Sequence, residues 1–439
     1  MQEDPRGVLI TTANAEVALQ FDATVISFLG QRPETGALLA ATLQNDPDLV
    51  AGHCMAGLCQ MLAATRPLAV QAGRSLALAR AAFTQRGGTR REATLLAALA
   101  AWHDDDDMWK AAALLDDAAR NDPRDILALR LSHALLFMLG DAVGMRLSLE
   151  AVMHAWSADV PGYPYVLGCY AFALGETGDL AAAERTGRDG VAMEPHDLWG
   201  AHAVAHALSG GKRSRECIAW MSWLDPFMKC GGSFVRHIHW HRALNHLALG
   251  EPELAMYLYD CRIRQERCEE VRDVLNAASL LWRLQAAGLP VRKWLWDELA
   301  DVAESRIGDH AWAFADLHYV LCLAGAGRDD KVAAMLSSIH ARSLGHEGTQ
   351  ARVHADVGLA TARGVAGAVR GDCAEAATLL AAARPLAHQF GGSHVQRDLL
   401  RQMQRWAERD CGRGNDRSLF DCAGAVSFGM ALQRGNRPR

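Results

Sequence analysis

Histidines are concentrated in two short segments near the middle of the 439-residue sequence. The first segment reads His202-Ala-Val-Ala-His206, and the second reads His237-Ile-His239-Trp-His241. His202 and His206 are four residues apart, so on a helix their side chains share one face, about 6 Å apart. Two imidazoles at that spacing can bind one zinc or iron ion, or they can exchange protons with a bound molecule.

Three interpretations of this histidine pattern compete. As a metal site, the pair needs a third ligand from His239 or His241 on the next helix, or from the more distant Asp316, His318 or His394. The glutamate of a His-Glu-x-x-His motif is absent, which makes metal the minority interpretation. The other two are a polar pocket without metal and simple packing of imidazoles inside the fold. The cofactor stays open, with divalent zinc or iron as the candidate.

A second polar segment, Gly391-Gly-Ser-His-Val-Gln-Arg-Asp398, has the residue types of a helix start. Ser393 can cap the helix, and the positive end of a helix can hold an anion with help from Arg397. Capping alone is the competing interpretation. If the chain curls enough to bring this helix against the His202 helix, the two segments would enclose one pocket.

The predicted site combines both segments with a few further polar residues. Asp316 and His318 are two residues apart and point about 200° apart on a helix, so only one of them can line a pocket. Arg283 is either a buried ion-pair partner or a ligand clamp. The candidate catalytic residues are His202, His206, His241 and His394. The candidate ligand-binding residues are His239, Arg283, Asp316, His318, Gln396 and Arg397.

The composition is that of a folded protein without a nucleic-acid or membrane-binding character. Half of the residues are hydrophobic and 22% are charged, and the net charge is -6. No global positive field therefore favours nucleic acid or an anionic membrane. The N-terminus lacks a signal-peptide pattern, and no apolar stretch approaches the roughly 20 residues that cross a bilayer. Eleven cysteines without a Cys-x-x-Cys pair predict reduced thiols and a cytoplasmic location.

Alanine-rich segments with three- and four-residue apolar spacing recur along the chain, and strand patterns are nearly absent. The clearest repeat, residues 164–195, has Ala171 and Ala183 where two helices would cross, Gly178-Asp179 in the turn, and Pro195 at the end. This is the pattern of a tetratricopeptide unit of about 34 residues. Weaker units follow the same spacing.

The repeats predict an all-α fold, a tetratricopeptide-like superhelix of antiparallel helix pairs with a concave inner face. We expect one such domain over residues 1–400. Residues 401–439 are expected to form a divergent C-terminal tail, either an incomplete last repeat or a partly disordered segment. A poorly capped solenoid end would also suit a homodimer.

Several motifs together resemble the tetratricopeptide repeat protein 38 family over roughly residues 7 to 400. The matching segments are residues 161–179, 202–206, 239–244, 259–260, 276–283, 313–318 and 391–398. The resemblance implies a helical-repeat fold, and the molecular activity of that family is unsettled. The chain departs from the family pattern at Gly175, where an acidic residue is usual, and at Asn276, where aspartate is usual.

Two functions from different classes follow. In the first, a histidine-rich concave or enclosed pocket binds a small molecule and uses histidine acid–base chemistry, which would make the protein an enzyme. In the second, the chain is a non-catalytic scaffold whose groove binds a peptide or protein partner. The first requires a closed cavity in which His202, His206, His241 and His394 converge. The second requires an open groove.

Overall fold

The computed structural model describes residues 1–345 and 347–411, and it shows an all-α superhelix of antiparallel helix pairs. The predicted tetratricopeptide-like fold class is therefore confirmed. The strands of the described residues form one small antiparallel hairpin, in which Gln2 of β1 (Gln2–Glu3) lies opposite Ile10 of β2 (Leu9–Ile10). Buried side chains from Ile10 to Ala407 form one contiguous hydrophobic cluster.

Helices account for nearly all of the remaining elements. The first half contains α1 (Ala15–Leu29), α2 (Thr35–Asn45), α3 (Val50–Leu62), α4 (Arg66–Arg86), α5 (Arg90–His103), α6 (Met108–Asn121), α7 (Ile126–Leu139), α8 (Ala142–Val152), α9 (Tyr163–Glu176), α10 (Leu180–Met193) and α11 (Leu198–Gly210). The second half contains α12 (Ser214–Trp223), α13 (Phe234–Ala248), α14 (Pro252–Leu258), α15 (Val271–Ala286), α16 (Lys293–Ser305), α17 (Ala313–Gly325), α18 (Asp329–Leu344), α19 (Thr349–Val353), α20 (Leu359–Arg370), α21 (Cys373–Ala383) and α22 (His394–Cys411). Short 3-10 segments lie at Met153–Ala155, Phe227–Cys230 and Arg384–Phe390, and π segments lie at Tyr259–Ile263 and His354–Gly358.

The repeat unit predicted over residues 164–195 is the pair α9 and α10. Gly178 has a φ of +92°, which a turn tolerates best at glycine, and the Asp179 side chain accepts a hydrogen bond from the backbone of α10. The inner helices α9 and α11 are buried on nearly all sides, whereas α10 buries only a narrow stripe. At the α9–α11 contact, a Cβ on Gly168 would lie 2.9 Å from the Cα of Gly200.

The last part of the chain packs back onto the inner helices of the first part. The indole nitrogen of Trp312, at the start of α17, donates to the carbonyl of Phe390, 2.8 Å away. The turn before α22 lies against the end of α7, where a Cβ on Gly391 would meet the carbonyl oxygen of Met138 at 2.1 Å. The superhelix is thereby closed around an internal space, and the C-terminal helix reaches the helices that carry the histidines.

The final described helix crosses the boundary predicted at residue 400. α22 continues to Cys411, with Met403 and Ala407 fully buried, so residues 401–411 extend the helical core. The rest of the predicted tail, residues 412–439, lies outside the described residues. No helix in the part of the chain that the structure describes has the length and apolar character needed to cross a membrane.

The close contact between α7 and the turn before α22 predicts an unequal cost for two glycine substitutions. Gly140 has a φ of +73°, and a Cβ there would lie 1.8 Å from the carbonyl oxygen of His388. Gly327 has a similar φ of +71° with open space around it. Both alanine variants incur the left-handed backbone cost of about 1–2 kcal/mol. Gly140→Ala should lose about 1–3 kcal/mol more because the last segment must move.

Urea unfolding of the two variants checks this expectation. A larger loss of unfolding free energy in Gly140→Ala than in Gly327→Ala supports the closure of the superhelix by the last helices. Equal losses would contradict it.

Candidate functional site

The histidines of the site lie on α11 and α13, the inner helices of two successive repeats. Asp197 begins α11 by accepting a hydrogen bond from the backbone nitrogen of Trp199, and the helix then presents His202 and His206 on one face. His202 and His237 are 35 residues apart, the length of one repeat. The same offset relates His206 to His241. Equivalent positions of neighbouring repeats therefore face each other.

Four ring nitrogens meet where these helices touch. The Nε2 atom of His202 lies 2.9 Å from that of His206, 3.0 Å from that of His241 and 3.1 Å from that of His237. The Nε2 atoms of His241 and His237 are 3.2 Å apart. His202, His206 and His241 each offer one ring nitrogen within 4.8 Å of the other two. We call His202, His206, His237 and His241 the histidine cluster.

Hydrogen bonds between the rings cannot account for all of these contacts. An imidazole nitrogen has one in-plane position, which holds either one proton or one lone pair. The Nε2 atom of His202 can therefore form a good hydrogen bond with only one of its three neighbours. The others must face it with lone pairs or protons that repel. A cation among the nitrogens would turn this repulsion into attraction.

The histidine cluster is buried, and burial disfavours the charged form of three of its rings. All four side chains are buried, and only 3% of the surface of His202 is exposed. Burial holds the pKa of His202, His237 and His241 well below the usual value for imidazole, and neighbouring histidines and arginines lower it further. His202, His237 and His241 are therefore neutral imidazoles at neutral pH, and neutral imidazole is the form of histidine that binds metals.

The outward ring nitrogens have partners in two of the four histidines. His206 Nδ1 lies 3.4 Å from a carboxylate oxygen of Glu176, and His237 Nδ1 lies 3.2 Å from the amide oxygen of Asn276. Such acceptors hold the proton on Nδ1 and leave the Nε2 lone pair pointing inward. The Nδ1 atoms of His202 and His241 are buried without a hydrogen-bond partner among the described residues.

Glu176, at the end of α9, links the cluster to the last helix. Its second carboxylate oxygen accepts hydrogen bonds from the backbone nitrogen of His394 at 2.9 Å and from His394 Nδ1 at 2.8 Å. Burial by itself would raise the pKa of Glu176, yet the hydrogen bonds from His206 and His394 hold it below its usual value. His394 therefore contacts the cluster only through Glu176, and 64% of its side chain is exposed.

Sequence reasoning placed His239 on the same face as His241, and this was wrong. Residues two apart on a helix point about 200° apart, so His237, four residues before His241, takes that place. His239 lies near Asp225 and Arg262 instead, and burial lowers its pKa to about 4. Glu176 and His237 are the site residues that the sequence reasoning missed.

Asp316 and His318 on α17 lie outside the cluster and point in different directions, as their spacing predicts. Asp316 accepts a hydrogen bond from His310 Nδ1 at 2.9 Å, and His354 Nε2 lies 2.9 Å from the same oxygen. His318 Nδ1 donates to the carbonyl of Phe314 at 2.9 Å, and burial lowers the pKa of His318 to about 4. Neither side chain reaches the histidine cluster.

The remaining predicted ligand-binding residues hold the start of α22. Ser393 and Gln396 form reciprocal side-chain-to-backbone hydrogen bonds of 3.2 and 2.9 Å, which is a capping box. Arg397 donates to the carbonyls of the two preceding glycines. Arg283 donates to the carbonyl of Val395 at 3.3 Å, and burial lowers its pKa to about 10. These contacts correspond to the capping interpretation of this segment.

A cavity of about 310 Å³ borders the cluster on the side of His202 and His237. Its walls come from both ends of the chain, from Phe28 on α1 to Gln396 on α22. A Trp199 ring lies 5.2 Å from the His202 ring, and the Phe234 ring lies 5.3 Å from it. The cluster thus forms part of the wall of a partly open, largely apolar cavity.

Comparisons with known proteins found solved structures that are similar to this chain at low identity. No family model matches the chain. A tetratricopeptide repeat protein from Parabacteroides merdae ATCC 43184 is 15% identical, with a TM-score of 0.33 over 63% of this chain and 97% of that one. The P58(IPK) TPR domain is 12% identical, with a TM-score of 0.21 over 75% of this chain and 100% of that one.

A third similar structure is that of Naa15/Naa10 bound to HypK-THB. It is 15% identical, with a TM-score of 0.21 over 84% of this chain and 64% of that one.

The two-sided contact of Glu176 predicts a pH-dependent stability effect in Glu176→Gln. At pH 7 the variant should lose about 1–3 kcal/mol of unfolding free energy, because a buried charge-assisted link to two histidines is weakened. The folded pKa of Glu176 lies below its usual value. Its contribution is therefore present above about pH 4.3 and is lost as the pH falls through the folded pKa.

Urea unfolding of the wild type and of Glu176→Gln at pH 7 and at about pH 3 tests this expectation. The difference in unfolding free energy between the two proteins should be smaller at the lower pH. The matched control is Glu304→Gln, since Glu304 is more exposed and pairs with Arg328 and Lys331 at the surface. This control should leave stability nearly unchanged. If Glu176→Gln loses the same unfolding free energy at both pH values, the charged Glu176 carboxylate does not stabilise the fold through its two histidine partners.

Proposed function

We propose that the protein is a helical-repeat metalloprotein whose histidine cluster binds one divalent cation at the wall of an internal cavity. The observation that carries this proposal is the position of the Nε2 atom of His202, within 3.1 Å of three other ring nitrogens. Neutral rings cannot satisfy these contacts with protons alone. A shared cation stabilises all of the inward lone pairs at once.

The distances between the ring nitrogens of the histidine cluster are close to those around a zinc ion. A zinc ion binds imidazole nitrogens at about 2.0–2.1 Å, so tetrahedral ligand nitrogens lie about 3.3–3.4 Å from each other. The observed separations of 2.9 to 3.2 Å need only a small expansion. His202, His206 and His241 would supply three ligands, and His237 lies where it could provide the fourth. Iron and other imidazole-binding metals fit the same donor set.

The electrostatics favour metal binding over acid–base catalysis by the cluster itself. A general acid or base works best with a pKa near the operating pH. The pKa values of His202, His237 and His241 lie well below that of ordinary imidazole. These rings would rarely carry a proton to donate at neutral pH, whereas their lone pairs are available to a cation.

The cavity beside the cluster supports a small molecule as the ligand rather than a peptide. Its walls come from both ends of the chain and its volume of about 310 Å³ suits a small molecule better than an extended peptide. A zinc ion with an open position would supply a Lewis acid or a bound water of lowered pKa there. If His237 fills that position, the centre is structural and the cavity binds without metal chemistry.

Several broader assignments accompany this proposal. The motifs listed in the sequence analysis support membership in the tetratricopeptide repeat protein 38 family. The cytoplasmic location stays a prediction from the cysteine pattern of the sequence. Homodimerisation through the end of the solenoid stays a prediction.

Metal analysis of the purified full-length protein tests the proposed centre. After removal of metal and incubation with excess zinc followed by desalting, the wild type should retain about one zinc per chain. His206→Ala and His241→Ala should each lose most of it, because each removes a ligand that has no substitute outside the cluster. Mass spectrometry of the metal content gives the result.

His239→Ala is the matched control, since it removes a buried histidine of the same helix that faces away from the cluster. It should retain zinc like the wild type. A wild type that retains no more zinc than His206→Ala would contradict the proposal. Circular dichroism of each variant confirms that the helices are intact.

A further inference from the structure

Arg130, on α7, lines the cavity and has no anionic partner among the described residues. Only 7% of its surface is exposed, and its guanidinium stacks over the Trp199 ring at 4.5 Å. No carboxylate lies within ion-pair distance of it in the described part of the chain, and its buried NH1 group lacks a hydrogen-bond acceptor. A buried charge without a partner is strongly unfavourable unless something compensates for it.

The stacking on Trp199 compensates for only part of this cost. A cation over an aromatic ring gains less free energy than the desolvation of a buried charge costs. The nearest acidic influence is Asp197, but its carboxylate is held at the start of α11 between Gly168 and Gly200. Burial raises the pKa of Asp197 to about 7, so it carries only part of a negative charge at neutral pH.

The other charged groups of the cavity already neutralise each other. Arg272 donates to Glu270 at 2.6 Å, near the rim, and also to Ser233 at 2.8 Å. The lining therefore has one uncompensated positive charge, at Arg130. A single negative charge on the ligand would balance it. The rest of the surface is mainly aromatic and aliphatic, with Phe28, Phe137, Phe234, Leu275 and Trp312 among its residues.

We propose that the cavity binds a small monocarboxylate with a flat or aliphatic apolar body, and that Arg130 holds the carboxylate. The planar guanidinium matches a carboxylate in geometry and charge. A volume of about 310 Å³ is at the lower end of the range for small-molecule sites. This inference rests on the proposed function, because the ligand occupies the cavity that the histidine cluster borders.

The placement also orients the ligand. The Trp199 ring contacts both Arg130 and His202, at 4.5 Å from the guanidinium and 5.2 Å from the imidazole. A carboxylate on Arg130 is therefore one indole ring away from the cluster. The apolar body, and not the carboxylate, is the part of the ligand that extends toward His202 and His237.

Calorimetric titration with a matched pair of probes tests the ligand class. The acid is 2-naphthoate, and the neutral control of similar shape is 2-naphthalenemethanol. The wild type should bind the acid about tenfold more tightly or better, as expected for one charge-assisted hydrogen-bonded contact. Arg130→Met should lose this preference and bind both probes alike, and Arg130→Lys should keep part of it.

Arg292→Met is the matched control variant. Arg292 also stacks on an indole ring, that of Trp294 at 5.0 Å, but it pairs with Asp260 and lies outside the cavity. It should preserve the preference for the acid. A wild type that binds both probes equally, or Arg130→Met with an undiminished preference, would overturn the proposal. If Arg130→Met does not fold, the affinities of the wild type for the acid and for the neutral probe still test the proposal.

Two further arms separate this inference from its alternatives. If 2-naphthyl phosphate binds more than about tenfold better than 2-naphthoate, the carboxylate assignment is wrong and a phosphate is the ligand. Titrations of zinc-loaded and metal-free protein separate the two proposals. A preference for the acid in a protein that binds no zinc supports the Arg130 site and refutes the metal centre. Zinc binding without a preference for the acid supports the metal centre and refutes the Arg130 site.

Discussion

The carboxylate of Glu176 contacts the histidine cluster with one oxygen and the last helix with the other. One oxygen lies 3.4 Å from His206, and the second accepts two hydrogen bonds from His394. Because the group is buried and charged, it depends on both partners to compensate for its desolvation. The contact between the last helix and the histidine cluster and the orientation of His206 therefore depend on the same side chain.

The packing of adjacent repeats explains why the histidine cluster is crowded. Helices α11 and α13 are inner helices of adjacent repeats, so their equivalent positions face each other at the short distance that helix packing allows. Four imidazoles in mutual contact there cannot form hydrogen bonds across all of their contacts, because each ring nitrogen holds either one proton or one lone pair. In our two proposals, a cation would relieve this conflict inside the cluster, and a monocarboxylate would relieve the separate charge imbalance at Arg130. The two proposals thus address two distinct uncompensated groups.

Local spacing was sufficient to predict the fold and part of the site. Apolar periodicity and turn residues are set within one repeat, and the pairing of His202 with His206 needs only one helix. The 35-residue offset from His202 to His237 was also present in the sequence and would have excluded His239. The contact of Glu176 with His394 could not be predicted, because it depends on how far the whole superhelix curls.

X-ray absorption spectroscopy of the zinc-loaded wild type tests the central claim most directly. The account predicts a first shell made only of nitrogen and oxygen at about 2.0 Å, with the multiple-scattering signature of at least three imidazoles. Substitution of His206 by alanine should reduce the number of imidazoles or remove the bound zinc. A shell containing sulfur, or fewer than two imidazoles in the wild type, would contradict a metal centre built from the histidine cluster.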